Sequence, residues 1–97
     1  MAVVVRIPTP LRKYTDGRAE VESEGATVRE VFTHLETTNQ GIGAMIFDDE
    51  GEIRRFINVF VNGEDVRQRQ GKDTPVNEGD ELSVVPAIAG GGGATDP

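Results

Sequence analysis

The sequence predicts an α+β fold in which one main helix covers a mixed β-sheet. Three observations carry this. Apolar residues alternate at period two in Val3-Val5-Ile7, Ile57-Val59-Val61 and Leu82-Val84, the spacing of strands with one buried face. Val28, Val31, Phe32 and Leu35 stand at i, i+3, i+4 and i+7, the single stripe of an amphipathic helix. At 97 residues the chain has material for one domain and a thin core.

The first strand runs from Ala2 to Pro8, bounded by Pro8 and Pro10, since proline ends a ladder by removing a donor. Thr15-Asp16-Gly17 supplies turn chemistry. Arg18 to Ser23 then sets Ala19, Val21 and Ser23 against Arg18, Glu20 and Glu22, a strand with one wet face. These two strands read as a hairpin.

Thr27-Val28-Arg29-Glu30 spells a capping box, in which Thr27 offers its hydroxyl to the amide three residues on and Glu30 reaches back. The helix starts there and stops at Asn39-Gln40-Gly41. Ile42, Met45 and Ile46 make a helical turn and a loop with some core contact before Asp48-Asp49-Glu50-Gly51.

Phe56 to Asn62, FINVFVN, is the plainest strand, with Ile57, Val59 and Val61 on one face and Asn58, Phe60 and Asn62 on the other. Asn62-Gly63 favours a tight turn, and a short segment around Val66 is read as a further strand. After the polar stretch from Arg67 to Pro75, Glu78-Gly79-Asp80 turns the chain into a last strand, Glu81 to Pro86, with Leu82 and Val84 inward and Ser83 and Val85 outward. If the last two long strands are neighbours, Phe60 and Val85 share the outer face. The domain is thus residues 1–86. Residues 87–97 form a tail with four consecutive glycines, expected to be flexible because each glycine is costly to order.

Composition excludes several functions. There is no cysteine, so a disulfide framework, a thiolate nucleophile and a Cys-ligated metal are ruled out. A formal net charge of -7 repels phosphate backbones and anionic lipid, so neither nucleic acid nor membrane is an expected partner, whereas a basic protein surface is. Met1-Ala2-Val3-Val4-Val5-Arg6 is too short an apolar run to span a bilayer and lacks a preceding positive region, which leads us to expect a soluble, cytoplasmic protein.

The chemistry-bearing residues do not assemble into a catalytic motif. His34, the one histidine, stands on the polar side of the helix with no Cys and no His partner, where a metal site would need several converging ligands. Asp48 to Glu52 fails the spacing of a calcium loop, whose sixth position should be glycine and is Ile53. Gly41-Ile42-Gly43 lacks the third glycine of a dinucleotide fingerprint. The carboxylates Glu20, Glu22, Glu24, Asp80 and Glu81 fall on turns and wet strand faces, a solvated acidic surface without a pocket to shift their pKa values.

With these residues in place, the strand-strand-helix-strand-strand order, Phe56 to Asp65, the Glu78-Gly79-Asp80-Glu81 turn and Pro86-Ala87-Ile88-Ala89-Gly90-Gly91 together resemble the MoaD/ThiS family of ubiquitin-like sulfur carriers. The likeness spans Val3 to Gly91. Ile7-Pro8-Thr9-Pro10-Leu11-Arg12 and Arg55 to Asp65 are most similar to the carrier of a bacterial cysteine-synthesis route that uses a thiocarboxylate as sulfur donor.

The resemblance implies a β-grasp (ubiquitin-like) fold and a protein that is no enzyme itself. It implies a terminal Gly-Gly whose carboxylate an E1-like enzyme adenylates with ATP and converts to a thiocarboxylate. In the cysteine route the sulfur passes to a PLP-dependent cysteine synthase, and thiamine, molybdopterin and other metabolites are the alternative destinations. The carrier binds no cofactor; PLP and zinc belong to partners. Glycine suits the task, because a carboxylate that enters another protein's narrow nucleotide site needs a backbone without obstructing side chains. The adenylate makes the carboxyl carbon open to a sulfur nucleophile, so the chemistry needs no cysteine.

This chain departs from the family pattern by continuing through Gly92, Gly93, Ala94, Thr95, Asp96 and Pro97. An internal glycine carbonyl is an amide and cannot be adenylated. Residues 92–97 are therefore expected to be a removable extension, and the resemblance implies a JAMM-type zinc metallopeptidase for the cut. Spacing from Pro86 favours cleavage after Gly91, with Gly93 as the alternative diglycine end. Phe60 and Val85 correspond to the apolar sheet patch by which ubiquitin-like proteins bind partners. Two other readings stay open: a protein modifier conjugated to lysines through the same glycine, and a β-grasp interaction module with an inert tail.

Overall fold

The computed structural model describes residues 2–86, which form a five-stranded mixed sheet with one long helix packed across its inner face. The strands are β1 (Ala2–Arg6), β2 (Glu20–Glu24), β3 (Ile57–Val61), β4 (Glu64–Asp65) and β5 (Glu81–Pro86), in the spatial order β2-β1-β5-β3-β4. The long helix is α1 (Val28–Thr38), and a five-residue helix, α2 (Ile42–Ile46), follows it. β1 and β5 are parallel at the centre of the sheet, and every other pairing is antiparallel. This is the β-grasp arrangement the resemblance implies.

The period-two residues fall where the alternation puts them. Val3, Val5, Ile57, Val59, Val61, Leu82 and Val84 are buried on the inner face, against Val28, Val31, Phe32 and Leu35 of α1. Burial of each such side chain stabilises by about 1.5–3 kcal/mol, so this face is the main source of stability. Ser23 takes the inward position on β2 and is buried, its hydroxyl donating to the carbonyl of Val31 at 2.8 Å. That bond satisfies a polar group which would otherwise be costly inside.

The capping box forms with one difference. Thr27 Oγ1 accepts from the Glu30 amide at 3.3 Å, while the Glu30 carboxylate reaches past Thr27 to accept from the Ala26 amide at 2.9 Å. Gly25 lets the helix start press close: a Cβ there would stand 2.6 Å from the Val31 amide nitrogen. At the other end Gly41, at φ 98, turns the chain into α2 beneath the Tyr14 ring.

Several boundaries differ from the sequence reading. The β1–β2 link is no tight hairpin turn, because residues Thr9–Tyr14 wind into a 3-10 helix that buries Leu11. β2 begins at Glu20, and Ala19 is exposed rather than inward. Val66 lies just past the two-residue β4 and opens a 3-10 turn, Val66–Gln68, with its side chain fully buried. The polar stretch after it also holds a 3-10 turn, Gly71–Asp73, and places Thr74 and Val76 in the interior. The proposed tail, residues 87–97, lies outside the described residues, as does the extension 92–97.

Candidate functional site

β5 carries the chain to Pro86, and the sheet register says what surrounds that point. Pro86 pairs with Ile57, Val85 with Asn58, Val84 with Val59 and Ser83 with Phe60. β3 and β5 are therefore neighbours, and Val85 and Phe60 occupy the same outer face, as diagonal rather than directly opposed positions. Val85 is 44% exposed, while Phe60 is half-buried, set in a shallow hollow with Gly63, Glu64, Asp65, Gln68 and Arg69.

Phe56 is the second large apolar residue to stand in solvent, at 38% exposure, one residue before β3. Sequence reasoning placed it at the start of the FINVFVN strand and drew no functional conclusion. Its parity with Asn58 and Phe60 was the available signal. The apolar surface beside the end of β5 thus consists of Val85 and Phe56, with Phe60 contributing one partly covered edge. Phe56 also borders a hollow with Asp48, Arg54 and Arg55.

Arg67 braces this corner. Its guanidinium donates to Asn58 Oδ1 at 2.7 Å and to the Arg54 carbonyl at 2.7 Å. β4 pairs only with Phe60 and Val61, so Arg67 covers the first part of β3 that β4 leaves without a neighbour. Arg54 is held in turn, its Nε donating to the Ala44 carbonyl at 2.9 Å. The start of β3, where the final strand ends, is thereby fixed to α2 and to the Val66–Gln68 turn.

The other candidates from the sequence sit elsewhere. His34 is exposed on α1, and its Nδ1 lies 3.1 Å from Ser23 Oγ. Because that hydroxyl already donates to Val31, the imidazole supplies the proton of this contact. Glu20, Glu22 and Glu24 line the outer face of β2, with Glu20 and Glu81 both paired to Arg6. Among the described residues no three His, Asp or Glu side chains converge to hold a metal ion. No helix among them is long and apolar enough to cross a membrane. Gly90, Gly91, Gly92 and Gly93 lie outside the described residues.

The chain matches the ThiS family over residues 5–91. It belongs to that family. It is 41% identical over 93 residues to the sulfur carrier protein CysO of Mycobacterium tuberculosis, a match covering 94% of this chain and all of that one. The crystal structure of that CysO superposes with a TM-score of 0.85, covering 89% of this chain and 99% of the other. CysO in the Amycolatopsis orientalis BexX/CysO complex superposes at 0.87, with 47% identity over 92% of this chain and 99% of that chain. Small archaeal modifier protein 3 of Haloferax volcanii is 37% identical over 68 residues, covering 70% of this chain and 73% of that protein. These likenesses place the β-grasp sheet, with its exposed Val85 and Phe56, among the ubiquitin-like sulfur-carrier folds.

Proposed function

We propose that this protein carries sulfur as a thiocarboxylate on a processed C-terminal glycine, and that the sulfur goes to cysteine synthesis. The observation that carries the reading is the family match, which runs the length of the folded body and stops at residue 91. Gly91 completes the first Gly-Gly after Pro86. The near full-length likeness to the sulfur carrier CysO supports the same role.

In this reading a JAMM-type peptidase first hydrolyses the Gly91–Gly92 amide, leaving a free carboxylate. The carboxylate attacks the α-phosphorus of ATP inside an E1-like enzyme and pyrophosphate leaves. A sulfur nucleophile then displaces AMP from the acyl carbon. The carrier supplies the carboxylate and a docking face that includes Val85, Phe56 and the edge of Phe60; the catalytic groups, the PLP and the zinc are its partners'. The folded part is residues 1–86, and the tail is residues 87–97.

The test uses the chain ended at Gly91, its E1-like partner, ATP and a sulfide source. The expected result is an intact mass raised by one oxygen-to-sulfur exchange, absent when the chain keeps residues 92–97. An unchanged mass with a competent enzyme refutes the carrier role. A second reading is favoured by the likeness to small archaeal modifier protein 3: conjugation of Gly91 to lysines of target proteins. Glycine remnants on lysines in digested extracts would mark it.

A further inference from the structure

The cations of this acidic protein are sorted along the strand axis. Arg6, Arg29, Arg69 and Lys72 make ion pairs. Arg12, Lys13, Arg18, Arg54, Arg55 and Arg67 make none among the described residues. The topology brings all six of these to one end of the sheet. β1 and β5 run parallel, and β2 and β3 run against them. The turn after β1, the approach to β2 and the approach to β3 therefore all lie at the end where β5 stops at Pro86. Those segments hold Arg12 and Lys13, then Arg18, then Arg54 and Arg55, and Arg67 is bonded to the last of them.

Three of these guanidiniums are positioned by backbone carbonyls rather than by carboxylates: Arg12 on Ile7 at 3.0 Å, Arg54 on Ala44 and Arg67 on Arg54. The acids on the same side are largely engaged elsewhere. Glu20 pairs with Arg6, Glu36 accepts from the amides of Gly41 and Gly43, and Asp48 accepts from those of Glu50 and Glu52. Asp16, Asp49 and Glu50 have no such partner among the described residues, three free acids against the six unpaired cations. Glu24, Glu64, Glu78, Asp80 and Glu81 stand at the opposite end. A strand of five or six residues separates the two groups by about 17–20 Å. That is roughly twice the physiological Debye length, so the acids do not neutralise the cations.

We infer that the end of the sheet from which residues 87–97 continue is a cationic docking collar for a carboxylate-rimmed opening on the protein that receives the tail. This deepens the carrier reading and rests on it. The collar is carried by separate segments around the strand end, with exposed Val85 and Phe56 among them. Such spacing fits several separate carboxylates on a rim around an apolar contact. A single phosphate would need donors converging on one point. The arrangement orients an otherwise acidic body tail-first toward its partner, which raises the encounter rate.

The test compares Arg18→Glu and Arg55→Glu with a double variant, Arg29→Gln plus Asn77→Asp. Each has the same net charge, but the double change lies away from the collar, at the start of α1 and before β5, and all four side chains are exposed. Every variant ends at Gly91, which leaves all described contacts intact. Circular dichroism establishes folding, and the rate of thiocarboxylate formation with the E1-like enzyme is read at low and high salt. The expected result is a KM raised on the order of tenfold for each Arg variant, with kcat retained and the salt dependence flattened. The double variant should stay near wild type. Equal KM values for all variants, or a wild-type rate indifferent to salt, overturn the collar while leaving the carrier role standing. Failure of wild type itself to take up sulfur overturns the carrier reading and the collar with it.

Discussion

Val85 faces Asn58 across the β3–β5 ladder, and the Asn58 side chain is already held by Arg67. The polar half of this pair is thus engaged within the protein, and the apolar half is left in water at 44% exposure. An exposed valine one residue from the end of the final strand, beside an exposed Phe56, has no role in the core. Replacing it should therefore separate docking from folding.

Val85→Asp is expected to melt within a few degrees of wild type and to weaken binding to the E1-like enzyme by roughly tenfold or more, as loss of a central apolar contact does. Phe56→Ser should act in the same direction. Titration calorimetry with the chain ended at Gly91 checks this. Unchanged affinity in both variants would remove the sheet face from the docking surface.

The strands and α1 were legible because their apolar spacing leaves little choice: shifting β3 by one residue would expose Ile57, Val59 and Val61 together. The outward pair Phe60 and Val85 followed from the same alternation. What escaped was structure without period. Leu11 is a single apolar residue among polar neighbours, so the 3-10 helix Thr9–Tyr14 left no pattern. Val66, Thr74 and Val76 are isolated as well, and each is buried by tertiary packing alone. The cationic end could not be seen along the chain, because Arg12, Arg18 and Arg55 meet only through strand order. Nor does spacing reveal that Phe56 is more exposed than Phe60.

Gly25 is a packing requirement rather than a turn device. A Cβ at this position would lie 2.6 Å from Val31 N, 2.8 Å from Glu30 C and 2.9 Å from Glu30 Cβ. The closest two are backbone atoms of α1, so relief means moving the helix off the sheet. Gly25→Ala should cost about 1–3 kcal/mol, the usual range for overpacking. Denaturant unfolding would show it, and a variant as stable as wild type would mean the helix can shift without loss.

Glu36 ties α1 to α2 with one carboxylate. Its Oε2 accepts from the Gly41 amide at 2.9 Å and its Oε1 from the Gly43 amide at 2.7 Å. Those amides begin a short helix and have no partner within it. Glu36→Ala should destabilise by about 1–3 kcal/mol, the range for hydrogen bonds to a charged group, with Glu36→Gln intermediate because it keeps one acceptor. Faster amide exchange at Gly41 and Gly43, with the β1 and β5 amides still protected, is the local signature. Uniform acceleration across the sheet would contradict a role confined to the α1–α2 junction.

Asp48 shapes the loop before β3 in a pH-dependent way. Its Oδ1 accepts from the amides of Glu52 at 3.1 Å and Glu50 at 2.9 Å. These bonds, the one from Glu52 foremost, hold its pKa below the ordinary 3.8, and the charges of Arg54 and Lys72 add to the effect. A carboxyl whose folded pKa is depressed stabilises fully above its unfolded pKa, and the contribution is lost as pH falls through the lower folded value. Asp48→Ala should therefore melt below wild type at neutral pH by a gap that stays constant down to about pH 4, the unfolded range. The gap should close on further acidification. Thermal melts of both proteins across this range decide the matter: a gap that persists at the lowest pH where both still fold would show that the loop depends on the shape of the aspartate side chain and not on its charge.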